Sequence, residues 1–79
     1  MTAQLDFFHA IADAPSARVR RYICEHQLTA IVQFRNITYP EVMAELIALG
    51  GHHAPALWDG ARMHSGADAI IAQLEAFRR

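Results

Sequence analysis

His53-Ala54-Pro55-Ala56-Leu57-Trp58-Asp59-Gly60, running on through Ala61-Arg62-Met63-His64 into Ser65-Gly66-Ala67-Asp68, decides how this 79-residue chain folds. Asp59-Gly60 is a dipeptide favoured in two-residue hairpin loops, because both residues tolerate positive φ. The flanking segments Ala56–Trp58 and Ala61–His64 therefore read as strands paired antiparallel. Ser65 followed three residues later by Asp68 has the form of a capping box, the signature of a helix start. Ile70, Leu74 and Phe77 then recur on one face of that helix, which is expected to run to the C-terminus.

Working outward, Thr38-Tyr39-Pro40-Glu41 has the form of another capping box with proline in the first turn. Val42, Leu46 and Leu49 follow at helical spacing, and Gly50-Gly51 supplies the stop. Thr29–Phe34 is rich in β-branched residues and reads as a strand. Before it, Pro15 suits the first helical position, and Val19, Ile23 and Cys24 form the inward stripe of a helix extending to Gln27. Cys24 on that stripe is expected to be a buried small hydrophobe, not a nucleophile. Leu5–Ile11 is an apolar, β-rich run closed by the turn chemistry of Ala12–Pro15.

Composition limits the functional classes. A hydrophobic fraction of 53% with 4 Gly and 3 Pro belongs to one folded domain spanning residues 1–79, not to a disordered segment. The net charge is -1, and the 7 basic residues, all arginine, are scattered from Arg18 to Arg79 with no stripe to follow a phosphate backbone, so no nucleic-acid partner is expected. No apolar run reaches the ~18–20 residues of a membrane span, and Met1–Asp6 lacks the basic and apolar regions of a signal peptide. The expectation is a cytoplasmic protein with no membrane partner. A single cysteine cannot close an internal disulfide, so the core alone must hold the fold.

The order β-α-β-α-β-β-α implies a crossover between two parallel strands followed by a hairpin, giving an α/β, four-stranded mixed sheet with three helices. This is a thioredoxin-like, glutaredoxin-like arrangement. The chain resembles the glutaredoxin family and the amino-terminal domain of glutathione transferases over nearly its whole length, most closely after residue 50. In those families a cis-proline precedes the third strand, and the small residue before it pairs its backbone with the cysteinyl part of glutathione. Ala54 and Pro55 stand there, preceded by His53. The resemblance also implies that Ser65-Gly66-Ala67-Asp68 corresponds to the segment that holds the γ-glutamyl group. Elementary physics agrees: the N–H groups of Ala67 and Asp68 at a helix start attract a carboxylate, and the Asp68 side chain can pair with an α-ammonium.

The other half of the motif departs from the family. Where a glutaredoxin carries Cys-Pro-x-Cys, this chain reads Asp13-Ala14-Pro15-Ser16-Ala17. With Pro15 as the motif proline, Ala14 and Ala17 replace the cysteines; shifted by one, Asp13 and Ser16 do. Capping favours the first register. Neither contains sulfur, and thiol–disulfide exchange needs a thiolate at that point. The basic residue that glutaredoxins carry shortly before the motif is also missing, near His9 and Ala10.

The expectation is thus a redox-inactive domain that binds a glutathione-like thiol or an extended peptide ligand, or docks a protein partner. Its groove is formed by Asp13, Pro15, Ser16, His53, Ala54, Pro55, Ser65, Gly66, Ala67 and Asp68. The alternative is a transferase-like, glutathione-dependent activity in which Ser16 stabilises a bound thiolate. Against it, Ser16 can equally be an ordinary residue of the first helical turn, and Ser65 and Asp68 can cap a helix with no ligand present. His9, His52, His53 and His64 are expected to approach one edge of the sheet. Their spacing is not that of a metal site, and no metal is expected.

Overall fold

Leu5-Asp6-Phe7-Phe8-His9 forms the strand, β1 (Leu5–His9), around which the other elements assemble in the computed structural model, which describes residues 5–78. Of the Met1–Asp6 stretch from which the leader expectation was drawn, Met1–Gln4 lie outside the described residues. After β1 come α1 (Ala14–Glu25), β2 (Val32–Asn36), α2 (Pro40–Ala48), β3 (Ala56–Trp58), β4 (Met63–Ser65) and α3 (Ala67–Phe77). The sheet order is β2-β1-β3-β4. β1 pairs parallel with β2 from Leu5↔Val32 to His9↔Asn36, and antiparallel with β3 from Asp6↔Trp58 to Phe8↔Ala56. The chain is an α/β protein with three helices and a four-stranded mixed sheet in a thioredoxin-like arrangement.

β1 is apolar on both faces because both faces are covered. Leu5 and Phe7 join Val19 and Ile23 of α1, Val32, Leu57, and Ala67, Ile70 and Leu74 of α3 in one cluster. Phe8 points the other way, into Val42 and Leu46 of α2 and Ala56. The two clusters put α1 and α3 on one side of the sheet and α2 on the other. Across the first side, Tyr22 of α1 donates its hydroxyl to Glu75 of α3 at 2.5 Å, and Arg78 reaches the same pair. Among the described residues no helix is long and apolar enough to cross a membrane.

Several local expectations are corrected. Cys24 is exposed. The buried stripe of α1 is Ser16, Val19 and Ile23, and Cys24 lies about 100° past Ile23 around the helix, beyond the reach of the sheet. Phe77 is also exposed, because the last turn of α3 directs Glu75 and Arg78 at Tyr22 and Phe77 lies about 200° round from Glu75. β2 begins at Val32, not Thr29, since residues 28–31 are used in a turn closed by Ile31 N–H to the Leu28 carbonyl at 3.1 Å. Thr38 does not cap α2: Tyr39 is the N-cap without a side-chain bond, and the Thr38 amide is instead held by Asn36 Oδ1 at 2.9 Å.

Two helices end in the same way for different residues. In α2 the Gly51 amide donates to the Leu46 carbonyl at 2.9 Å and the Gly50 amide to Ile47 at 3.0 Å, with Gly50 at φ 95°. In α1 the Leu28 amide donates to Ile23 at 2.9 Å and the Gln27 amide to Cys24 at 3.2 Å, with Gln27 at φ 57°. Both are Schellman motifs, whose left-handed residue is normally glycine. Gln27 bears the cost of a Cβ in that conformation, so Gln27→Gly is expected to stabilise the protein by about 1 kcal/mol. Gly51 is constrained by space instead: a Cβ there would collide with Cδ1 of the fully buried Leu46 and stand 3.0 Å from its Cγ. Gly51→Ala is expected to destabilise by about 1–3 kcal/mol, with both changes read as shifts of the urea midpoint at constant slope.

Candidate functional site

The hairpin register builds the site. β3 and β4 pair as Trp58↔Met63, Leu57↔His64 and Ala56↔Ser65. The turn between them is displaced by one residue from the expected Asp59-Gly60 loop. The Asp59 amide donates to the Arg62 carbonyl at 3.2 Å, so Gly60 and Ala61 are the central residues and only Gly60 takes positive φ, at 97°. Asp59 sets this shift: its Oδ1 accepts the amides of Ala61 and Arg62, each at 2.8 Å, and its Oδ2 meets His64 Nε2 at 2.8 Å. These bonds, His64 first and then the two amides, hold the Asp59 carboxyl down at about 2.

One rung beyond Ala56↔Ser65, the Gly66 amide donates to the Pro55 carbonyl at 3.2 Å, and the Ala54–Pro55 peptide is cis. α3 starts at once, with Gly66 as N-cap at φ 89° and ψ 147° and with no side-chain cap. The capping box expected from Ser65 is therefore not formed. Ser65 is the last residue of β4, and its exposed side chain is committed to the strand direction, not to the helix. The Phe8↔Ala56 pairing brings the end of β1, and with it the start of α1, to the same edge. Between α1, the 53–55 segment and the start of α3 lies an open groove of about 480 Å³, within the ~300–1,000 Å³ of small-ligand sites.

Pro15, His53, Ala54, Pro55, Gly66, Ala67 and Asp68 line this groove, as expected, together with Ala14 and Arg18. Asp13, Ser16 and Ser65 do not line it. Asp13 is the N-cap of α1, so Ala14 takes the first helical position and Pro15 the second. Asp13 Oδ2 accepts both the Ser16 amide at 2.9 Å and the Ser16 hydroxyl at 2.8 Å, and Ser16 Oγ accepts the Ala10 amide at 3.2 Å. The Ser16 bonds, side chain before backbone, and then the Arg20 charge hold the Asp13 carboxyl below its usual range. With its side chain fully buried, Ser16 ties the end of β1 to the first turn of α1.

Arg18 is the charged groove residue that sequence reasoning missed. It lies one helical turn after Ala14 on an exposed face, which was a readable signal, but its relation to Asp68 is a tertiary one. Arg18 Nη2 meets Asp68 Oδ1 at 2.7 Å across the groove, with the two side chains 58% and 88% exposed. An ion pair this open contributes at most about 1 kcal/mol, so a ligand bearing both charges can replace it at little cost. Beside it, the uncapped amides at the start of α3 carry the positive end of the helix dipole.

The histidines His9, His53 and His64 have different neighbours. His53 is exposed in the groove, whereas His64 is engaged with Asp59 at the hairpin turn. His9 is buried, stacked on Phe7 at 5.4 Å and edge-on to Phe34 at 5.5 Å. Strand alternation places His9 and His64 according to their own registers, and those registers lead to different neighbours. Among the described residues no group of three or more His, Cys, Asp or Glu side chains is placed to hold a metal ion. No protein-family model matches the chain, and no curated protein matches it.

The buried role of Ser16 has a measurable consequence. Ser16→Ala removes the acceptor of the Ala10 amide and a donor to Asp13, and is expected to cost about 1–3 kcal/mol of stability by chemical denaturation.

Proposed function

We propose that the chain is a redox-inactive, glutaredoxin-like domain of the cytoplasm that binds the zwitterionic head of a glutathione-like thiol, or of an extended peptide, in the groove beside Pro55. The observation that carries this reading is the Arg18–Asp68 pair across a groove whose floor is formed by Ala54–Pro55 and the uncapped start of α3. A ligand carboxylate would receive Arg18 and the α3 amides, and a ligand ammonium would pair with Asp68. The backbone of Ala54 would meet the extended part of the ligand. A purely anionic ligand that draws Arg18 away would leave Asp68 to solvent alone, whereas a zwitterion pairs both charges again, which argues for a zwitterion.

Nothing in the groove supports thiol exchange: its lining residues carry no sulfur, and the exposed Cys24 lies at the far end of α1 from Ala14 and Pro15. The transferase alternative draws no support from Ser16, whose hydroxyl proton is given to Asp13 and whose side chain is buried. Docking of a protein partner through an extended segment uses the same groove and the same chemistry.

Titration of the ¹⁵N-labelled protein with reduced glutathione is expected to give saturable shifts at residues 14–18, 53–55 and 66–68. At millimolar ligand a site worth ~4 kcal/mol is already half full, so an unchanged spectrum there would refute the reading. Asp68→Ala should weaken binding roughly tenfold, as expected for loss of one charged hydrogen bond of about 1.5 kcal/mol.

A further inference from the structure

Besides the Ser16 tie, the loop between β1 and α1 is strapped by Arg20, one of whose partners is a histidine. Arg20 Nη1 lies 3.1 Å from His9 Nδ1 and donates to the Ala10 carbonyl at 3.0 Å, while Nη2 donates to the Ile11 carbonyl at 3.1 Å. Arginine is always protonated and has no acceptor, so the contact at His9 is a bond only when Nδ1 carries a lone pair and the proton of the neutral ring is on Nε2. The loop that Arg20 straps leads directly to Asp13, Ala14 and Pro15, and so to the α1 wall of the groove.

We propose that His9 and Arg20 form a proton-operated latch: the neutral imidazole holds the β1–α1 loop against α1, and protonation at Nδ1 releases it. A proton taken from solvent by Nδ1 occupies the lone pair that Arg20 uses and places two cations about 3 Å apart, in a site where the ring stacks on Phe7 and meets Phe34 edge-on. Either the ring leaves its place against Phe7 and Phe34 or Arg20 leaves the loop. Departure of Arg20 frees the Ala10 and Ile11 carbonyls and loosens Ala10–Asp13, and departure of the ring removes the third partner that orients the guanidinium.

The surroundings supply little to oppose this. From β1 and β2 the ring meets Phe7 and Phe34, and Arg20 from α1 is the charge that acts on it; Asp13, the nearby acid, is engaged with Ser16 and feels Arg20. Burial first, and Arg20 second, lower the His9 pKa from 6.5. The sign follows: the unfolded or released chain binds the proton more readily than the latched one. The latched state is thus fully favoured above about pH 6.5 and loses its advantage progressively as pH falls below that value. Ligand affinity in the groove should fall in the same window, a consequence that rests on the function proposed above, whereas the latch itself does not.

The test is an NMR titration of the ¹⁵N-labelled chain from pH 8 to pH 5 without ligand. The His9 ring is expected to titrate below 6.5, and the amides of Ala10, Ile11 and Asp13 to shift with the same midpoint. Exchange of the Ala10 amide, bonded to Ser16, should accelerate at least tenfold beyond its intrinsic pH dependence. In His9→Gln, which keeps an acceptor for Arg20 but cannot titrate, these coupled shifts should vanish. If that variant does not fold, Arg20→Gln should return the His9 midpoint towards the ordinary range. A His9 midpoint at or above 6.5, loop amides that stay fixed while the ring titrates, or the same loop titration in His9→Gln would overturn the latch. A working latch with no glutathione shifts would overturn only the ligand reading.

Discussion

The hydrogen bond from the Gly66 amide to the Pro55 carbonyl is the junction on which the architecture of the groove depends. It extends the Ala56↔Ser65 pairing by one rung, and so places the 53–55 segment beside the first residues of α3 with no intervening loop. Pairing is directional, and a slip of one residue would turn Leu57 out of the core and move Gly66 away from Pro55. The positive φ of Gly66 lets the chain pass from strand to helix at that point. The absence of a side-chain cap then leaves the α3 amides facing the groove. Strand register, backbone conformation and the uncapped helix start are thus linked at one residue.

The same economy holds on the other wall. Asp13 and Ser16, at the position where thiol chemistry would be sought, act as a cap and a buried tie between β1 and α1. Their side chains face each other and the Ala10 amide, which leaves Ala14, Pro15 and Arg18 to line the groove. This wall is shaped by helix geometry: the first turn directs its capping residues at the helix backbone and the residues one turn apart at the groove. The polar strap made by Arg20 and His9 then sets how firmly the loop before that turn is held.

Packing explains why polar residues are tolerated so close to the core. His9 continues the face of β1 that carries Leu5 and Phe7, and its ring takes the place of an aromatic core residue between Phe7 and Phe34. Its one polar demand on the protein side is met by Arg20. Asp59 and His64 meet each other's demands at the opposite end of the hairpin, together with two turn amides. His9 and His64 thus have separate local partners.

The order of elements was legible because it rests on local signals: the β-rich Leu5–His9 run, proline near the starts of two helices, Gly50-Gly51 at a helix end, and a hairpin around Asp59-Gly60. So was much of the groove, since Ala54–Pro55 and Gly66–Asp68 flank the hairpin and must approach one another once it closes. The errors arose where one residue of shift changes the outcome. Cys24 follows Ile23 and is rotated out of the stripe, the hairpin turn moved by one when Asp59 took the two amides, and Thr38 and Ser65 lost their capping roles to neighbours. Sequence by itself determined the succession of strands and helices and the sulfur-free motif, because these depend on residue type and spacing along the chain. Tertiary structure alone decided that Arg18 faces Asp68, that Ser16 is buried and that His9 holds Arg20, because each is a contact between elements whose geometry exists only after the sheet has set their separation.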